Sequence, residues 1–235
     1  MPTERFDKLN EQKKMRIGDA IIGEIRQHSC KNMEISRIAR KAGVSRGSLY
    51  TYFQDKDDMI LSVMCRTWRE ALERDKENLQ SCGGDLWAMQ ELALNYRLEV
   101  CRANPLFRQI YLAGRNSDNA YEADFCSVRE REYEEYKEWV YEHMDKGRLK
   151  RRERADIHRL LGICGALLMA SVLEYICGGR EAPEIILCFK EQLSHLKGEL
   201  EEPGNGAMSW NHMAPILREK APASGETARC GWKRI

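Results

Sequence analysis

Strand-like alternation of β-branched residues is scarce along the 235 residues of this chain, which argues against a sheet and for an all-α fold. Paired C-x-x-C spacing is missing, although nine cysteines are present. Neither a disulfide framework nor a metal site is therefore implied, and His28, Cys30, His143 and His158 also lack ligand spacing. A nucleophile elbow, a phosphate loop and a paired-acid motif are absent as well, which sets an enzyme aside and implies no cofactor. Residues 1–14 are charged and polar, unlike a signal peptide. Scattered thiols, Cys101 and Cys126 among them, suit a reducing cytoplasm and buried, inert roles. One long apolar run, 160–177, is interrupted by Gly162, Gly165, Ser171 and Glu174. It is slightly short for a bilayer, so a core or interface helix is expected and no membrane contact.

Net charge is also nearly absent, at +1, yet its distribution is uneven. Residues 1–56 carry 12 Lys/Arg against 7 Asp/Glu, and the remainder carries 26 against 30. A basic head on a mildly acidic body is the electrostatic layout of a nucleic-acid-binding protein. Helical periodicity predicts helices at about 6–27, 34–43, 45–53, 55–80, 85–102, 105–115, 121–146, 155–177 and 183–200. A breaker-rich loop is expected at 114–119. Three regions follow: a head at 1–54, a helical body at 55–200, and a flexible tail at 201–235 where periodicity stops.

The densest signal lies at 35–60. Ile35, Ile38, Ala39 and Ala42 form an apolar stripe, and Gly43 suits the left-handed backbone that closes a helix. Val44 plugs the turn, and Ser45 caps the next helix. There Leu49 and Phe53 point inward, leaving Arg46, Ser48, Tyr50, Thr51 and Tyr52 on or near the outer side. So short a helix, lined with hydrogen-bonding and cationic groups, fits the major groove. Ser45, at the start of that helix, can hold a phosphate oxygen as well as cap. Gly47 lets the backbone approach closely. Arg46 could take guanine and Thr51 a thymine methyl, or either could touch phosphate or water. Tyr52 is divided between DNA and packing against the first helix. Lys13, Lys14 and Arg16 are further candidates for backbone contact, against the commoner reading of a solvated face.

The run Ala42-Gly43-Val44-Ser45, then Gly47-Ser48-Leu49-Tyr50, Tyr52-Phe53 and Lys56-Asp57-Asp58, resembles the helix-turn-helix of the TetR family of bacterial transcriptional regulators. That resemblance implies nine helices, operator DNA read as a palindrome by a homodimer, and a small-molecule effector that releases a repressor. It also implies phosphate contact by Tyr50, backbone contact by Lys56, and a base or phosphate contact by Ser36. Glu34 departs from the family, standing where a capping Thr is common. The alternative is a helical small-molecule or protein-binding module that does not bind DNA.

Two further sites are expected in the body. The apolar arc of the last two helices is too wide for one neighbour. It nominates Leu160, Ile163, Leu167, Val172, Phe189, Leu193 and Leu196 for a dimer interface, and the family's paired final helices imply the same. Aromatic, Met and Cys residues of the middle helices nominate walls of an effector pocket: Met89, Tyr96, Cys101, Phe107, Tyr111, Phe125, Cys126, Trp139 and Cys164. The same residues could be plain core. The basic segment 146–154 is expected to be a solvated loop.

Overall fold

Helical periodicity is realised throughout. The computed structural model describes residues 2–112 and 120–202, and among them every regular element is a helix. They are α1 (Glu4–Asp7), α2 (Glu11–His28), α3 (Ile35–Ala42), α4 (Arg46–Tyr52), α5 (Lys56–Ser81), α6 (Leu86–Ala103), α7 (Pro105–Leu112), α8 (Ala120–His143), α9 (Arg154–Cys177) and α10 (Ala182–Leu200).

The first helix expected at 6–27 is split in two. Asn10 takes an extended conformation and its side chain accepts from the Lys13 amide, so it starts α2 afresh. This raises the count from the nine helices expected to ten among the described residues. The expected helix at 121–146 ends early, at His143, where Asp145 donates its amide to the Gly84 carbonyl. The loop expected at 114–119 lies outside the described residues.

The head is α1 to α4. Ile17, Ile21 and Ile25 of α2 are essentially without exposure and meet Ile38 of α3 and Leu49 of α4. Burying each such side chain contributes about 1.5–3 kcal/mol. α5 leaves the head and packs on α6 and α8, while α6 packs in turn on α9 and α10. One apolar core runs through head and body, so the division expected at residue 54 is not a gap in packing.

α9 is long and apolar enough to cross a membrane, with a mean hydropathy of 2.0 over its best window. It packs instead among α6, α7, α8 and α10. The segment 146–154 is largely exposed, as a solvated loop would be, and is held by backbone carbonyls. Arg152 donates to the carbonyls of Leu149 (2.8 Å) and Gly147 (2.7 Å), and Lys150 donates to the Glu199 carbonyl (2.7 Å). Arg148, Arg151 and Arg154 also pair with acids but stay largely exposed. The first two residues of the tail expected from 201 are held by the body. The Glu201 carboxylate accepts from the Trp87 indole (2.8 Å) and pairs with Arg148 (3.5 Å), and the Glu202 amide donates to Arg148. Residues 203–235 lie outside the described residues.

Candidate nucleic-acid interface and effector cavity

α3 and α4 meet through a turn whose geometry the sequence dictates. Gly43 sits at φ 65° and ψ 38°, the left-handed region that costs a side chain energy. Ser45 then caps α4: its Oγ accepts from the Ser48 amide at 3.0 Å and lies 2.8 Å from the Ser48 hydroxyl. Leu49 and Phe53 are fully buried. Their fixed inward direction turns the opposite flank of α4 outward. Ser36, Ser45, Arg46, Gly47, Tyr50 and Lys56 are all exposed, and Ser48, Thr51 and Tyr52 are half-buried. Each of the expected DNA-facing residues thus keeps some or all of its surface open to solvent.

Local bonds refine their roles. Arg46 lies along Tyr50, its guanidinium 5.8 Å from the ring centre. The Thr51 hydroxyl donates back to the carbonyls of Ser48 (2.8 Å) and Gly47 (3.1 Å), leaving its methyl as the free contact group. Tyr52 packs edge-on against Phe6 at 6.2 Å and beneath Lys13 at 5.6 Å, so packing claims part of it. A strap not expected from the sequence backs the far end of α4. The Thr3 hydroxyl donates to the Thr51 carbonyl (2.8 Å) and the Thr3 amide to the Tyr52 carbonyl (2.9 Å).

The missing cap of α3 is supplied from another helix. Glu34 makes no side-chain cap, and its amide donates instead to the Glu24 carboxylate of α2 at 3.2 Å. Glu24 is fully buried and also accepts from Arg37 (2.6 Å) and Lys41 (3.4 Å). Burial pushes its carboxyl up, but Arg37, the Glu34 amide and Lys41 together hold it below its ordinary value.

In the body, a cavity of about 270 Å³ lies between α5, α6, α7, α8 and α9. Trp68, Asp75, Gln90, Arg97 and Tyr111 are buried walls, while Glu130 and Ala166 are exposed and mark its mouth. Asp75 and Arg97, each with 3% side-chain exposure, join α5 to α6, one guanidinium nitrogen donating at 2.8 Å and the other closing a bidentate pair. Burial opposes the Arg97 charge, but Asp75 holds it ionised, its pKa well above the ordinary value. Burial likewise keeps the hydroxyls of Tyr111 and Tyr133 protonated.

Of the pocket walls expected from sequence, only Tyr111 lines this cavity. Met89, Cys101, Phe107, Phe125 and Cys164 are fully buried core beside it. Tyr96 faces a surface groove under Arg74, Cys126 is half-buried beside Arg129, and Trp139 stacks on His143. Burial pushes the Cys101 and Cys164 thiols up to about 12, so they are inert as nucleophiles. The cavity was legible in another signal: Asp75 falls between Leu72 and Leu79, and Arg97 between Leu94 and Cys101, one charge of each sign on an apolar stripe. The interface candidates also divide. Leu160, Val172, Phe189 and Leu193 are at most 5% exposed and face the chain's own interior, so they cannot meet a partner. Ile163 is 47% exposed, and Leu167 and Leu196 are half-buried; Leu187, 61% exposed, joins them.

These features define an all-helical protein whose helix-turn-helix head is carried on a body with an internal cavity. Residues 17–63 match the bacterial regulatory proteins of the tetR family. A fatty acid metabolism regulator protein of Bacillus subtilis is 32% identical over 73 residues, covering 31% of this chain and 38% of the relative. An HTH-type transcriptional regulator of Staphylococcus aureus is 25% identical over 99 residues, 42% of this chain and 53% of the relative. The chain thus matches about half or less of the length of these curated relatives. Among solved structures, FadR from Bacillus subtilis in complex with stearoyl-CoA aligns with a TM-score of 0.54 at 15% identity, over 78% of this chain and 97% of that one. A TetR-family regulator from Mesorhizobium loti aligns at 0.59 and 14% identity, over 81% and 98%. At such identities the likeness concerns the fold.

Proposed function

We propose that this protein is a homodimeric, cytoplasmic transcriptional repressor that reads a palindromic operator and is released from it by a small molecule. The observation that supports the reading is the exposure of Ser36, Ser45, Arg46, Gly47, Tyr50 and Lys56 on a head whose inward residues are fully buried. Tyr50 and Lys56 hold phosphates and Arg46 reads a base, a division of labour in which position and specificity come from different side chains. Two heads must stand about 34 Å apart to read successive major grooves. The exposed apolar residues Ile163 and Leu187, with Leu167 and Leu196, support a second copy seated on α9 and α10.

The effector reading rests on α5. It starts at Lys56 beside the reading helix and contributes Trp68, Leu72 and Asp75 to the cavity. A ligand that favours one position of α5 shifts the separation of the two heads by its difference in affinity for the two states. The stearoyl-CoA held by the Bacillus subtilis FadR supports a small-molecule site in a body of this kind. Fluorescence anisotropy with a pool of labelled duplexes, run across a salt series alongside light scattering, tests the proposal. Tight, salt-dependent duplex binding by a dimer is expected. A monomer, or no duplex binding at low ionic strength, overturns it.

A further inference from the structure

The cavity carries chemical information about its ligand. Its charged wall residues cancel: Asp75 is closed against Arg97 in a bidentate pair, and Glu130 offsets Arg129 near the mouth. A carboxylate inside would meet Asp75 and would have to take Arg97 from it, leaving a buried charge uncompensated. Three wall groups remain to be satisfied. The indole Nε1 of Trp68, the side-chain oxygen of Gln90 and the hydroxyl of Tyr111 are buried, on residues 6%, 4% and 3% exposed, with no hydrogen-bond partner among the described residues. The first is a donor, the second an acceptor, and the hydroxyl can be either. A buried polar group left unmatched is costly, so native proteins rarely keep one without a use. The other walls are largely apolar: Leu72, Leu168 and Met169, with the ring faces of Tyr133 and Tyr136.

We propose that this cavity, taken as the effector site of the function above, selects a compact, uncharged and mainly apolar molecule. The molecule carries one group that accepts from Trp68 and donates to Gln90, as a primary amide or a phenol does. Free carboxylates and a long acyl-CoA with its phosphates are excluded by charge, and the acyl-CoA by size as well. Gly162 lies on the wall, and a Cβ built there meets nothing within 4 Å, so this stretch of α9 leaves the ligand room.

Calorimetry and thermal shift on the full chain at neutral pH, with benzamide, phenol, benzoate and stearoyl-CoA as probes, test this. Benzamide or phenol is expected to bind and raise Tm, with benzoate at least about tenfold weaker and stearoyl-CoA silent. Gln90→Leu is expected to weaken the neutral probe by roughly fivefold. Gly162→Leu, whose side chain grows into open space, is expected to keep the helical melt and abolish binding. Equal or tighter binding of benzoate, binding of stearoyl-CoA, silence of both neutral probes, or unchanged affinity in a folded Gly162→Leu overturns the inference. Duplex binding by the same wild-type preparation is scored separately. If it persists, a failed probe series sinks only the ligand class; if it is absent, the regulatory reading falls while a positive probe series stands.

Discussion

Removing one member of the Asp75–Arg97 pair is the most informative perturbation of the body. Both side chains are 3% exposed, the contact is bidentate, and Arg97 also donates to the Ala93 carbonyl at 3.1 Å. Leaving either charge alone in that interior costs about 3–5 kcal/mol, because desolvation is no longer offset. For a chain of this length that lowers Tm by roughly 10 °C. Asp75→Leu and Arg97→Met are therefore each expected to be strongly destabilised. Asp75→Leu combined with Arg97→Met removes both charges and fills their volume, and is expected to recover to within about 1 kcal/mol of wild type. Urea unfolding of the four proteins at neutral pH closes the cycle. If the single changes cost under about 1 kcal/mol, or the double change costs their sum, the pair is not the buried, mutually compensating contact described above. The cycle also bears on coupling, since Asp75 belongs to the helix that begins beside the surface proposed for DNA.

Other expectations are smaller in scope. Lys56→Ala is expected to weaken binding to all duplexes alike and to reduce the salt slope by about 1, and Arg46→Ala to change which sequence is preferred; anisotropy titrations on varied duplexes separate the two. Glu24 has a folded pKa below its ordinary value, so its contribution is complete above that ordinary value and fades as pH falls through the folded one. Glu24→Gln should accordingly be less stable than wild type at neutral pH and approach it as the pH falls below that folded value, as urea midpoints across an acid series would reveal. Gly43→Ala meets no atom within 4 Å but keeps φ at 65°, so a loss of about 1–2 kcal/mol from strain alone is expected in the same assay. Ile163→Glu with Leu187→Glu should give a folded monomer by light scattering, and an unchanged dimer would remove α9 and α10 as the interface.

The head was largely legible because its signals are local. Gly43, Ser45 and the four-residue step from Leu49 to Phe53 each fix their own geometry, and the outward set follows from the inward one. The rescue of the weak cap at Glu34 was not legible, since it comes from Glu24, ten residues away on another helix. In the body, periodicity gave helices and their ends to within a few residues but could not phase α9. That helix is apolar around most of its circumference, so Leu160 and Val172 looked as available as Ile163. Only contact with α6, α7, α8 and α10 decides which of them faces a partner. The cavity walls were missed for a related reason. Large aromatics such as Phe107 and Phe125 fill space, and a hollow is bordered by what cannot fill it: a closed ion pair, a glycine and an amide with nothing to bind.

The strap at Thr3 has a practical bearing on how the protein can be handled. Because that residue is bonded to the end of the reading helix, anything joined ahead of Pro2 emerges next to the surface meant for the duplex. A purification handle placed there would crowd the operator, and a cationic one would add affinity that has nothing to do with sequence. Handles are better carried beyond Glu202, which is anchored to the body at Arg148.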